Sequence, residues 1–162
     1  MASPIHHMTV IRYYRDRRPW DSEDVRSPSW SQVEAAIRRM DNYCFPIVQL
    51  NCTEYEDDEG IFNVIGGDGR WALFHMMDEW QYEDPSGGDG EVRLWDSDQG
   101  YFCKERNVLT DIEKVLRVTK AFLRNRLLRP LGRGAVAAGG TVSDVRMVQG
   151  TSFRRVARPQ AT

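Results

Sequence analysis

Residues 61–84 read IFNVIGGDGRWALFHMMDEWQYED, and this stretch restricts the possible folds more than any other. Ile61, Val64 and Ile65 form a short β-branched run, Trp71, Leu73, Phe74 and Met76 form a second apolar run, and Gly66, Gly67, Asp68 and Gly69 lie between them. Two such runs read as a β-hairpin, because glycine supplies the positive φ that tight hairpin turns need. A hairpin of this kind is the usual centre of an antiparallel sheet. The composition then changes: Asp78, Glu79, Trp80, Tyr82, Glu83 and Asp84 interleave carboxylates with large rings. The hairpin is expected to be scaffold, and this tail a working surface.

The flanking segments supply the rest of a sheet and two helices. Residues 8–14 (MTVIRYY) are strand-prone, and 15–29 (RDRRPWDSEDVRSPS), polar with two prolines, read as a loop. A helix follows, capped by Ser29 or by Ser31, which would form a capping box with Glu34; Trp30, Val33, Ile37 and Met40 mark its buried stripe. Residues 45–52 (FPIVQLNC) read as a strand, 54–60 (EYEDDEG) as a carboxylate-rich loop, 84–90 (DPSGGDG) as a flexible turn and 91–95 (EVRLW) as a half-buried strand. Thr110 and Glu113 suggest a second capping box. Ile112, Val115, Leu116, Thr119, Phe122, Leu123 and Leu127 then keep a period near 3.6 until Pro130 ends the helix. The fold class expected is α+β: an antiparallel β-sheet of about five to six strands with two helices packed on one face. Residues 1–130 form one domain. Residues 131–162 read as an extension, mostly mobile or supplying a late edge strand.

A chain of 162 residues suffices for one core without disulfides or metal. Cys44, Cys52 and Cys103 are odd in number and widely spaced, which argues against a disulfide framework and a zinc site. No apolar run approaches the roughly 18 residues of a membrane span, and the first residues lack the order of a signal peptide. A cytoplasmic protein without membrane contact is expected. The net charge of −2 conceals an asymmetry: residues 41–103 hold 15 Asp+Glu against only Arg70 and Arg93. Unless basic flanks fold against it, such a region repels nucleic acid and attracts basic proteins.

No assembled catalytic motif is legible. His75 falls in a strand run, opposite in direction to Phe74 and Met76, and is read as a strand residue; His6 and His7 are read as surface residues. The 66–69 run GGDG is followed by a strand pattern and lacks the helix of a phosphate loop. No cofactor is implied. The carboxylates Glu54, Glu56, Asp57, Asp58, Asp78, Glu79, Glu83 and Asp84, with Trp80, Tyr82 and Trp95 among them, are the candidate partner-binding residues. Trp and Tyr are common interface anchors, and surrounding carboxylates would steer a basic partner. The plainer alternative puts the tryptophans in the core, since large rings are mostly buried.

The order of the opening strand, SWSQVEAAIRRMD, FPIVQLNC, IFNVIGGDGRWALF, WQYEDP, EVRLW and TDIEKVLRVTKAFL resembles the Imm1 family of bacterial immunity proteins over about residues 8–128. The resemblance implies a non-enzymatic antitoxin that binds a cognate toxin domain, often a nucleic-acid deaminase or a nuclease, in the cytoplasm of the producing cell. Inhibition would come from an acidic, ring-bearing face occupying the toxin's basic cleft. No direct contact of this chain with nucleic acid is expected. The rival reading is a small ligand-binding or enzymatic domain that uses GGDGR and nearby carboxylates for a phosphorylated or sugar substrate.

Overall fold

The computed structural model describes residues 5–16, 20–52, 60–75 and 80–127, with side chains to residue 125. In chain order the elements are β1 (His7–Arg12), β2 (Asp21–Arg26), α1 (Trp30–Arg39), β3 (Ile47–Asn51), β4 (Ile61–Gly67), β5 (Arg70–His75), β6 (Trp80–Gln81), β7 (Glu91–Leu94), β8 (Tyr101–Lys104), a 3-10 turn at Glu105–Asn107, β9 (Val108–Leu109) and α2 (Ile112–Leu127). The main sheet runs β2-β1-β3-β4-β5-β6, with β9 beside β5, and β7 pairs with β8 in a small second sheet. Every described pairing is antiparallel. The fold is α+β, as the strand and helix pattern predicts.

The central hairpin is β4–β5, closed by Asp68 and Gly69 at φ 52° and 85°. Two successive positive φ values define the mirror-image turn whose twist suits a hairpin, and Asp-Gly is among its preferred pairs. Gly67 meets a different demand: a Cβ there would lie 2.5 Å from the backbone of Met40 and Asp41. The bare glycine lets the residues that follow α1 bridge to the end of β4 through Asp41 and Gly67.

Alternation along the strands feeds two separate cores. Val48, Leu50, Phe62, Val64 and Leu73 face the helices and pack with Val33, Ile37, Val115, Leu116 and Leu123. Ile47, Ile65, Ala72 and Phe74 face the other way, where Leu94, Trp95 and Tyr101 from the β7–β8 region cover them. Each fully buried aliphatic or aromatic side chain contributes about 1.5–3 kcal/mol relative to exposure. The small second sheet is thus the lid of a second core, and both faces of the main sheet are used.

Asn42 ties the lid down. It adopts φ 64°, which Asn tolerates better than most residues. Its Oδ1 accepts the buried Trp95 N–H at 2.7 Å, its Nδ2 donates to Asp96 Oδ2 at 2.7 Å, and its carbonyl accepts the Asp96 N–H at 2.9 Å. Its own N–H donates to Gly66 O at 3.0 Å, so one residue joins α1, β4 and the lid.

The structure corrects three local expectations and decides a fourth, the cap of α1, between its two candidates. The 15–29 segment is not all loop, for it contains β2, a charged edge strand whose Val25 opposes Met8; backbone pairing with β1 overrides the poor strand propensity of DSEDVR. The α1 cap is Ser29, and the capping box closes on Gln32, leaving Glu34 to pair with Arg38 at 2.8 Å. At α2 the capping oxygen is that of Asp111, which accepts Glu113 N–H at 2.9 Å, and no Thr110 box forms. The DPSGGDG tract is packed: Asp84 N–H donates to Arg106 O at 2.7 Å, Arg106 N–H to Gly88 O at 3.0 Å, and Gly87 sits so close that a Cβ would lie 2.5 Å from Arg106 Cα. The proposed 131–162 extension lies outside the described residues, as do residues 53–59 and 76–79.

Candidate functional site

Of the eleven residues expected to contact a partner, Glu54, Glu56, Asp57, Asp58, Asp78 and Glu79 lie outside the described residues. The residues that bracket them are well placed. Asn51 opposes Ile61, Phe62 opposes His75, and His75 opposes Trp80. The chain therefore leaves and re-enters the sheet at the same end of four adjacent strands, β3 to β6, once around each carboxylate-bearing segment. The reversal at Gly67 lies at the other end.

The three rings are not surface anchors, and this part of the expectation is corrected. Trp80 is 5 % exposed and belongs to the helix-side core, stacked on Phe62 at 5.8 Å and tilted against Phe122 at 4.7 Å. Tyr82 is 1 % exposed, and Lys114 lies over its ring at 5.4 Å. Trp95 is 8 % exposed in the second core, 5.9 Å from Tyr13. In a strand beside two amphipathic elements, burial of a large ring outweighs any benefit of display. Their acidic neighbours are also engaged. Glu83 pairs with Arg106 at 3.3 Å, and Arg106 reaches Asp89 at 2.5 Å. Asp84 caps its own turn, accepting Ser86 N–H at 2.9 Å and Ser86 O–H at 2.7 Å, which holds its carboxyl below the usual carboxylate pKa. The Lys/Arg-rich flank folds against residues 82–89, so this part of the acidic region is neutralised from within.

His75 is a core residue, 1 % exposed and 5.3 Å from the Phe122 ring. Its neighbour Phe74 faces the opposite core and stacks on Tyr101 at 5.4 Å. Burial raises the Tyr101 hydroxyl pKa and lifts the Cys103 thiol to about 11, which keeps both protonated at neutral pH. Neither is poised for acid–base or nucleophilic chemistry. Among the described residues no three His, Cys, Asp or Glu side chains are grouped to hold a metal ion, and no helix is long and apolar enough to cross a membrane.

The GGDGR turn borders a shallow depression of about 310 Å³ lined by Arg38, Met40, Asp68, Gly69, Trp71 and Ile112. The Arg38 guanidinium is shared by Glu34 at 2.8 Å and Glu113 at 2.7 Å, which raises its pKa, the Glu113 hydrogen bond most strongly. Arg38 and Asp68 balance in this wall, and Arg38 is already engaged by two glutamates, which makes a poor cradle for phosphate.

Sequence reading passed over a second cluster at this end of the molecule. Arg12, Arg15 and Arg39 lie over Tyr14, Tyr43 and Phe45, three rings brought together by the end of β1 and the segment after α1. The signal was the 12–15 run RYYR, masked because a segment-wise charge count dilutes two arginines among distant carboxylates. Family models, curated proteins and solved structures yield no match to this chain.

Proposed function

We propose that this protein is an immunity protein that binds and inhibits a cognate bacterial toxin domain, a nucleic-acid deaminase or nuclease, in the cytoplasm, and that it acts by contact without catalysis. The observation that carries the reading is the common sheet end of Asn51, Ile61, His75 and Trp80. Residues 53–59 contain five carboxylates and 76–79 two more, and both segments are bracketed by residues of that end. A rigid two-core scaffold bearing concentrated negative charge suits the basic cleft of an enzyme that acts on nucleic acid. With Trp80, Tyr82 and Trp95 inside, the contact rests on charge and backbone shape, and partner-facing rings drop out of the reading. The resemblance of the chain to the Imm1 family supports the same assignment.

The test is co-expression with the toxin domain encoded beside this chain. Changing Asp57, Asp58, Asp78 and Glu79 to Ser should slow association steeply at low salt, with little change at high salt, and should abolish protection. Full protection by the quadruple variant, or a neighbouring gene without any toxin domain, overturns the proposal. The rival reading, a domain that binds a phosphorylated or sugar ligand, would place that ligand in the depression beside Asp68 and Gly69, although Arg38 there is already paired with two glutamates. A rise in melting temperature with nucleotides or sugar phosphates, lost in Trp71→Ala, would select it.

A further inference from the structure

The end of the sheet farthest from Asn51 and His75 carries an arginine and aromatic surface. Arg12 lies 4.7 Å from the Tyr14 ring centre and 5.7 Å from that of Phe45, Arg39 lies 4.2 Å from Phe45, and Arg15 lies 4.9 Å from Tyr43. Arg12 and Arg15 are exposed, and neither makes an ion pair among the described residues, whereas Arg39 is held by Glu23 at 2.8 Å. Asp41 accepts the backbone N–H groups of Tyr43 at 3.0 Å and Phe45 at 2.8 Å and attracts Arg15 from a distance, while the Arg15 guanidinium donates a hydrogen bond to Cys44. A guanidinium resting on a ring has lost much of its freedom already and still offers N–H edges outward. This is a preorganised pair of phosphate donors interleaved with stacking surfaces.

We propose that this surface binds a short single-stranded nucleic-acid segment, with phosphates on Arg12 and Arg15 and a base stacked at the Arg15–Tyr43 pair. An acidic peptide fits less well. Glu23 and Asp21 flank the patch, so it is close to neutral overall, and a ligand that offers charge alone gains little. A strand that adds base stacking gains from the exposed guanidinium planes of Arg12 and Arg15 and from the half-buried rings beneath them. The overall acidity of the chain does not oppose this, because the carboxylate-rich segments are bracketed by the opposite end of the sheet. The proposal is independent of toxin inhibition.

Fluorescence anisotropy of the full chain with labelled eight-nucleotide oligo(U) and oligo(dT) tests it, with octaglutamate and free UMP as the other arms. Oligonucleotide binding should weaken with salt at a logarithmic slope of about −1.4, as expected for roughly two phosphates on a single strand. Arg12→Gln with Arg15→Gln should weaken it about tenfold or more. Tyr43→Leu should weaken it about tenfold while leaving the salt slope unchanged, and Arg15→Lys should lose part of the affinity because charge is kept without a stacking plane. UMP should compete weakly. All of these side chains are at the surface, and circular dichroism checks each variant's fold. Absence of oligonucleotide binding at about 200 μM protein and low salt, above the range of roughly 1–100 μM typical of non-specific contacts, overturns the proposal. So does octaglutamate binding as tight as oligo(U), or binding indifferent to the arginine pair.

Discussion

Replacing Asn42 by Ala tests the claim that one side chain fastens the second core. The change removes the acceptor of the buried Trp95 N–H and the donor to Asp96 Oδ2, both at 2.7 Å. An unsatisfied buried N–H costs about 1–3 kcal/mol, and a hydrogen bond to a charged group is worth about 1.5–3 kcal/mol. Ala at φ 64° adds roughly 1 kcal/mol that Asn and Gly largely avoid. The expected loss is therefore about 3.5–7 kcal/mol, or roughly 10–25 °C in melting temperature for a domain of this size. Asn42→Gly should recover the backbone part only, about 1 kcal/mol. Asn42→Asp keeps an acceptor for Trp95 N–H but sets a carboxylate against Asp96, and it should improve as pH falls and one of the two is protonated. Urea unfolding of the three variants gives the ranking, and hydrogen exchange at Trp95 gives the locality. A loss under 1 kcal/mol for Ala, or an unchanged exchange rate at Trp95, would show that packing alone holds the lid.

Four further outcomes follow from the same geometry. Gly67→Ala forces a Cβ into the Met40–Asp41 backbone at φ 125° and should destabilise by several kcal/mol, about 3 or more, whereas Gly69→Ala, with open space around it, should cost only about 1 kcal/mol in equilibrium unfolding. Phe122→Ala empties a site shared by Phe62 and Trp80, both at 4.7 Å, and should cost about 3 kcal/mol with a visible change in tryptophan emission. With Cys44 and Cys52 changed to Ser, alkylation of Cys103 at pH 8 should run about 100-fold slower than that of a free thiol, because a pKa near 11 rather than 9.0 cuts the thiolate fraction by that factor. Asp84 should titrate below the ordinary carboxylate range by NMR, and Ser86→Ala should move it back up. Because its folded pKa is depressed, its contribution to stability is present at neutral pH and disappears as pH falls through the folded value.

Which parts of this structure are legible in the sequence depends on whether the cause is local. The β4–β5 hairpin is legible because Asp68-Gly69 specifies its own turn, and both helices are legible because their stripes repeat at 3.6 residues. The edge strand β2 is not, since nothing in DSEDVR favours extended backbone except the free edge of β1 beside it. The roles of Trp80, Tyr82 and Trp95 are illegible for a related reason. Interleaving with carboxylates reads as an exposed face, yet Arg106, more than twenty residues away in sequence, comes back to pair with Glu83, Lys114 lies over the Tyr82 ring, and Asn42 holds Asp96 beside Trp95, so the rings go to the core. The candidate contact surface was half legible: the carboxylate-rich segments are evident by eye, but only the strand register puts their brackets at one end.

That separation has a mechanical consequence. Asn51, Ile61, His75 and Trp80, which bracket the two carboxylate-bearing segments in sequence, lie at one end of strands whose central members are buried on both faces, and the guanidiniums stacked near Arg12 lie at the other. Charges of opposite sign are thus bracketed by opposite ends of a stiff spacer, which gives up their mutual attraction, and with Glu23 and Asp21 offsetting the arginines the resulting dipole along the strands is modest. Such a dipole turns an approaching basic partner toward one end before contact, so orientation is set during diffusion and not after docking. Neutralising Arg12 and Arg15 should therefore slow association with a basic partner modestly at low ionic strength, by about two- to threefold through the lost orienting field, even though neither residue touches that partner. Faster association in the double variant at every salt concentration would mean that net charge governs encounter and that the separation of charge along the sheet has no steering role.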